Sequence, residues 1–171
     1  TAQECDLIIQ TAECEGWNVA TDTVDDEPAW EVNLLRHTAG KMAATRMRDI
    51  IVGFSVDFTP SRYIIYARKY GPAYRPSLAP HHDRSTISFT VALSDDFTGG
   101  EFFYLDAAKV EQSVLLNKGD AVVFGGNVMH GVRAVQIHGQ GRLRVVPCSS
   151  SSVTSHGISF RVVSFWVGRG L

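Results

Sequence analysis

From Arg62 onward the chain is cut into short strand-like segments by turn residues, and this pattern limits the fold more than any other feature. Tyr63–Tyr70 is aromatic and β-branched, and a loop rich in Gly and Pro (Gly71, Pro72, Pro76, Pro80) follows it. Ile87, Phe89, Val91 and Leu93 alternate with Thr86, Ser88, Thr90 and Ala92, the period-two signature of a half-buried strand. Glu101–Leu105, Ser113–Leu116, Ala121–Phe124 and Ile158–Val167 come next, each bounded by Gly, Asp, Asn or Ser. Ser94–Gly100 reads as a turn cluster, and Lys118-Gly119-Asp120 as a tight turn between two strands. Many short strands with no helices between them predict a sandwich or barrel rather than a parallel α/β sheet.

The first third has a different texture. Thr1-Ala2-Gln3-Glu4 reads as a capping box, with Cys5, Ile8, Ile9 and Ala12 following at helical spacing and Gly16 as the stop. Asp22 to Pro28 is turn-like, and Trp30, Val32 and Leu34 suggest a short strand. A second helix is predicted from Leu35 to Ile51, ending near Gly53. A chain of 171 residues suits one domain. The expected organisation is a helical support region at 1–60 and a β core at 61–171, with Ser149–Ser152 in an exposed loop.

Composition excludes several partners. Net charge is −2 and no Lys/Arg block exists, so nothing marks a nucleic-acid binder. No apolar run is long enough to span a membrane, and no signal-peptide layout is visible. The chain starts at Thr1 without a Met, as a domain cut from a longer protein would, and the compartment stays open. Cys5 and Cys14 on one helix lie beyond the roughly 7 Å limit for a bridge. With Cys148 they read as isolated thiols.

Two motifs carry chemistry. Pro80-His81-His82-Asp83 contains His-x-Asp just before a strand. Residues i and i+2 of an extended segment project to one side, so His81 and Asp83 can meet one ion while His82 points away. His130, 47 residues after Asp83, lies in Val128-Met129-His130-Gly131-Val132, where a return strand could place it opposite the first pair. Two imidazoles and one carboxylate suit non-haem Fe(II) oxygen chemistry. Taken alone, His130 reads as a hydrogen-bonded loop histidine rather than a ligand. Arg161 lies in the otherwise apolar Ser159–Trp166, where its guanidinium could pair a cosubstrate carboxylate or snorkel from a strand edge.

The segment from Pro76 to Thr86, Pro-Ser-Leu-Ala-Pro-His-His-Asp-Arg-Ser-Thr, resembles procollagen lysyl hydroxylases and, more broadly, prolyl 4-hydroxylases. The resemblance runs from Glu4-Cys5-Asp6 and Gly16-Trp17 through Tyr63–Tyr70, Gly99-Gly100-Glu101, Lys118-Gly119-Asp120 and His130-Gly131 to Phe165-Trp166-Val167. It implies an α+β, mainly β fold: a double-stranded β-helix of jelly-roll or cupin type, with N-terminal helices packed on one side. It implies Fe(II) held by His81, Asp83 and His130, with 2-oxoglutarate and O2 as cosubstrates and ascorbate as reductant. By the same match Tyr70 would hydrogen-bond 2-oxoglutarate. Thr90 departs from the family, falling where the lysyl hydroxylases carry an asparagine.

The family arginine that receives the cosubstrate carboxylate follows the distal His closely, whereas Arg161 comes 31 residues after His130. Arg142 and Arg144 sit nearer the usual distance, but the final aromatic strand fits the family position better. Arg161 is therefore preferred, with 133–155 read as an insertion. The implied reaction is hydroxylation of an unactivated C–H bond of a peptidyl lysine or proline, with release of succinate and CO2. Substrate contacts are expected from the loops at 71–79 and 133–155 and from the helical face. A lysine substrate would call for an acid near the site, with Asp95, Asp96 and Glu101 as candidates. A small-molecule hydroxylase on the same core and a non-catalytic cupin-like binding module are the competing classes. A halogenase normally lacks the carboxylate, so Asp83 argues against that branch.

Overall fold

The computed structural model describes residues 1–54, 63–136, 144–147, 152–155 and 159–161, the last three segments by their backbone course alone. Helix α1, Ala2–Glu15, opens on the predicted capping box, with the Thr1 hydroxyl accepting from the Glu4 amide. It buries Cys5, Ile8, Ile9 and Ala12, the four positions its periodicity selects. Strands β1 (Asn18–Thr21) and β2 (Pro28–Asn33) form an antiparallel hairpin around the Asp22–Glu27 turn. Helix α2 covers Thr38–Phe54. It starts three residues later than expected because the Asn33 side chain accepts from the Leu35 amide and the His37 amide bonds the Leu34 carbonyl, which turns the chain first. Gly53 falls inside it rather than after it.

The later strands are β3 (Tyr66–Tyr70), β4 (Leu78–His81), β5 (Ile87–Val91), β6 (Thr98–Gly99), β7 (Phe102–Leu105) and β8 (Glu111–Val114). They continue as β9 (Ala121–Gly125), β10 (His130–Val132), β11 (Val135–Gln136), β12 (Arg144–Pro147), β13 (Ser152–Ser155) and β14 (Ser159–Arg161). Sequence patterning missed β4, which sits in the stretch that Gly and Pro mark as loop. Pro80 is tolerated because β4 is the edge of its sheet, where a missing N–H costs no ladder bond. The very short β6, β10 and β11 were equally invisible, since two or three residues show no period. The predicted tight turn is present, with Gly119 at φ 92°.

The pairings are nested. β3 pairs with β14, β4 with β10, β5 with β9 and β7 with β8, all antiparallel. Such a series is one long hairpin wound on itself, the double-stranded β-helix. Strands β1, β2, β3 and β14 make one sheet, so residues 1–60 supply a strand hairpin as well as two helices. The helices pack against the barrel through a core of Cys5, Ile8, Ile9, Leu34, Ala43, Met47, Ile65, Ala67, Phe89 and Leu93. Below, Glu13 of α1 forms a buried pair with Lys69 of β3 at 3.0 Å.

Within 133–155, β12 and β13 pair with each other as a hairpin, and β12 approaches α1. Cys5 is a free, buried thiol. Cys14 is disulfide-bonded, its partner lying outside the described residues, which corrects the expectation of isolated thiols. Among the described residues no helix is long and apolar enough to cross a membrane.

Candidate metal centre

Strand pairing assembles the site. β4 ends at His81, and β10 begins at His130 and lies between β4 and β7. In that register His130 is opposite His81, and the two rings lie 4.3 Å apart between centroids. Asp83, two residues beyond His81, brings its carboxylate between them. His81 Nε2 is 3.4 Å from Asp83 Oδ1, and His130 Nε2 is 3.8 Å from Asp83 Oδ2. One ligand atom from each of the three residues lies within 4.8 Å of the others, and His82 is not among them.

Both imidazoles are oriented by the same local device. His81 Nδ1 is 2.9 Å from the Ala79 carbonyl and His130 Nδ1 is 3.0 Å from the Val128 carbonyl, each two residues back. With Nδ1–H donating to a carbonyl, Nε2 keeps its lone pair and faces the cluster. The ring of His130 is clasped by Phe102, 5.5 Å away and stacked, and by Phe124 at 4.4 Å. Burial pushes the His130 imidazole below its ordinary value, against the pull of the Val128 carbonyl, and the charge of His81 adds to the shift. The neutral form, which a metal requires, is therefore favoured.

Burial pushes the Asp83 carboxyl up, yet hydrogen bonds with His81 and Ser88 and the charges of His130 and His81 hold it below the usual carboxylate value. Ser88 donates to Asp83 Oδ2 and in turn lies 2.7 Å from the Ser85 hydroxyl. A cluster of two neutral imidazoles and one ionised carboxylate, with outer partners in place, fits a divalent first-row metal.

The three residues face a cavity of about 260 Å³ whose walls include Tyr66, Arg68, Tyr70, Leu78, Thr90, Phe102 and Val132. Tyr70 is fully buried, and its hydroxyl has no hydrogen-bond partner among the described residues. A buried phenol without a partner is costly, so the position suits an incoming acceptor such as a carboxylate. Thr90, also buried, lines the same wall. The backbone register sets Ser159 opposite Tyr70 and Arg161 opposite Arg68. The side chain of Arg161 lies outside the described residues. Of its rivals, Arg142 lies outside them altogether, and Arg144 stands on β12, whose pairing partner is β13.

Several cavity residues escaped the sequence reading. The β1–β2 turn contributes Asp22, Thr23 and Val24, a wall that sequence marked only as a turn. Asp22 Oδ2 lies 3.0 Å from both Arg68 Nη1 and Arg75 Nη1. Both contacts are ion pairs without hydrogen-bond alignment. Arg68 also donates through Nε to Glu31 at 2.8 Å. Burial opposes its charge, but Tyr70, Tyr66, Glu31 and Asp22 hold the guanidinium above its ordinary value. Nothing in the local sequence announces this network, because its members are separated by up to 53 positions, from Asp22 to Arg75. Asp95, Asp96 and Glu101 do not line the cavity. Of the expected substrate loops, 71–79 contributes Leu78.

Comparison with known proteins places this geometry. A Pseudomonas putida prolyl-4-hydroxylase superposes with a TM-score of 0.66 at 17% identity, over 99% of this chain and 89% of that one. A Trichoplax adhaerens prolyl hydroxylase, solved with a hypoxia inducible factor oxygen degradation domain peptide fragment, gives 0.66 at 9% identity, over 97% and 75%. The non-heme alpha ketoglutarate dependent epimerase SnoN from nogalamycin biosynthesis gives 0.65 at 14%, over 98% and 72%. These likenesses show the fold. No curated protein matches the chain by sequence. The family model of the 2OG-Fe(II) oxygenase superfamily matches residues 60–151, from β3 past His130 and so through all three cluster residues. That match covers more than half of the chain, and the protein belongs to the 2OG-Fe(II) oxygenase superfamily, enzymes that work with Fe(II), 2-oxoglutarate and O2.

Proposed function

We propose that this chain is a hydroxylase that holds Fe(II) on His81, Asp83 and His130, binds 2-oxoglutarate through Tyr70 and Arg161, and acts on a peptidyl lysine or proline. The whole chain, 1–171, would act as one domain. The observation that carries the reading is the convergence of the three ligand atoms at the wall of a cavity that also contains the unpartnered Tyr70 hydroxyl. Iron with 2-oxoglutarate and O2 supplies an oxidant able to hydroxylate an unactivated C–H bond, with succinate and CO2 as co-products. The chain's own residues bind, orient and shield. His81 and His130 present Nε2 because their Nδ1 atoms are committed to Ala79 and Val128. Ser88 keeps Asp83 aimed, and Phe102, Phe124 and Val132 exclude water from one side. The Tyr70 hydroxyl would donate to the cosubstrate carboxylate, and Arg161 would supply the counter-charge.

Succinate formation is the direct test. With Fe(II) and 2-oxoglutarate the protein should release succinate slowly, and a suitable lysine or proline peptide should accelerate it. The absence of any turnover, together with undiminished metal retention in His81→Ala, would sink the reading.

A further inference from the structure

We infer that the substrate is a peptide whose reacting residue is uncharged, prolyl rather than lysyl, and whose flanks carry carboxylates that Arg84 receives at the cavity rim. This rests on the hydroxylase reading above and narrows its substrate class.

The charges around the cavity are the ground for it. Among the described residues two carboxylates line it, and both are committed. Asp83 belongs to the metal cluster, and Asp22 is held between Arg68 and Arg75. An incoming ammonium would find no free acid there, and burying a lysine head without one is costly. The cations are disposed differently. Arg68 is neutralised by Asp22 and Glu31, but Arg84 lines the cavity, is exposed, and has no ion pair among the described residues. Its backbone is fixed directly after Asp83, so the free guanidinium stands beside the metal cluster, with exposed His82 on the same rim.

The sequence extends the same polarity. Beyond Asp120 the chain contains no Asp or Glu, while it contains Arg133, Arg142, Arg144, Arg161 and Arg169. Those 51 residues carry +5, against −7 for the first 120. Asp57 apart, the segments outside the described residues hold no carboxylate side chain. Of those arginines Arg133 is paired with Glu111 and Arg161 is assigned to the cosubstrate, so among the described residues the unpaired charge at the rim is that of Arg84. A substrate of matching charge is therefore acidic, and complementarity of this kind acts chiefly on encounter rate and partner choice.

The test uses the full chain loaded with Fe(II) and 2-oxoglutarate under nitrogen, with fluorescent peptides followed by anisotropy. Four peptides suffice: a proline flanked by Glu, by Gln or by Lys, and a lysine flanked by Glu. At low salt the Glu-flanked proline peptide should bind roughly 10-fold tighter than the Gln-flanked one, and the gap should close at about 0.5 M salt. Arg84→Glu should cut the preference for Glu flanks roughly 5-fold or more. On admission of O2, the proline peptides should accelerate succinate release and the lysine peptide should not. Equal binding of all flanks, tightest binding of the Lys-flanked peptide, an unchanged preference in Arg84→Glu, or faster turnover with the lysine centre would each overturn the inference. Free glutamate competing as well as the acidic peptide would also overturn it, by assigning the carboxylate to a small molecule. Succinate formed without any peptide reports on the cosubstrate chemistry alone, so failure of the hydroxylase reading is distinguishable from failure of this one.

Discussion

His81 and His130 are cross-strand partners, opposite one another on β4 and β10 although 49 residues apart in the chain. The spacing depends on Gly131. A Cβ there would lie 2.7 Å from the Leu78 carbonyl oxygen on β4 and 2.5 Å from Phe103 Cζ on β7. A methyl group must push the strands apart, beginning one residue from His130 of the candidate cluster. Gly131→Ala should cost about 1–3 kcal/mol in stability. It should also weaken Fe(II) or Mn(II) binding on the order of 10-fold by titration calorimetry. Wild-type metal affinity in that variant would show that strand spacing does not set the cluster.

Tyr70→Phe offers a prediction with opposite signs for stability and binding. The hydroxyl is buried without a partner, so its removal should leave the melting temperature unchanged or higher when no cosubstrate is bound. With the donor gone, half-maximal succinate formation should need roughly 10-fold more 2-oxoglutarate, in keeping with a hydrogen bond to a charged group. A fall in melting temperature with no change in the 2-oxoglutarate requirement would make Tyr70 a packing residue.

The two arginines separate by their strands. Arg161 lies on β14 beside β3, whereas Arg144 lies on the β12–β13 hairpin. Arg161→Ala should raise the 2-oxoglutarate requirement on the order of 100-fold, while Arg144→Ala should leave it near wild type. The reverse ranking would move the carboxylate site to the hairpin.

Arg75 couples the β1–β2 turn to the strand that carries His81. Its Nη2 lies 2.6 Å from both Asp25 oxygens, its Nε donates to the Ser77 carbonyl at 2.9 Å, and Asp25 accepts from the Ala79 amide at 3.3 Å. Arg75→Met would leave the half-buried Asp25 without its cation and the buried Asp22 with Arg68 alone, and should cost about 3–5 kcal/mol. For a chain of this size that is a fall of roughly 6–20 °C in melting temperature. The pH dependence has a definite sign. Burial pushes the Asp25 carboxyl up, but the Ala79 amide and Arg75 hold it below the ordinary carboxylate value. A folded-state value below the unfolded one contributes stability that is full above the unfolded value and is lost as pH falls through the folded one. Thermal melts should therefore drop below about pH 4, and Asp25→Asn should flatten that part of the profile while lowering the plateau. An identical acid limb in the variant would assign the loss to other carboxylates.

The helix at Ala2–Glu15 was legible residue by residue, because a capping box and a 3.6-residue period are local signals. Ile87–Val91 was legible by its alternation, and Phe102–Leu105 and Ala121–Gly125 by the turn residues that bound them, again local signals. The His-x-Asp pair was legible as well, two side chains on one side of an extended segment. His130 was a candidate and no more until β10 was seen paired with β4, because no local rule fixes which distant strand a three-residue segment joins.

The sequence by itself determined the two helices, the β-rich remainder, and the His-x-Asp half of the candidate metal cluster, all properties of adjacent or nearby residues. The tertiary structure alone decided the nested pairing that sets His130 against His81, the unpartnered hydroxyl of Tyr70, and the pairing of Asp22 with Arg68 and Arg75. Those features depend on register and burial between segments far apart in the chain. Such relations are fixed by which faces the whole core must bury, and a single strand, read alone, does not contain that choice.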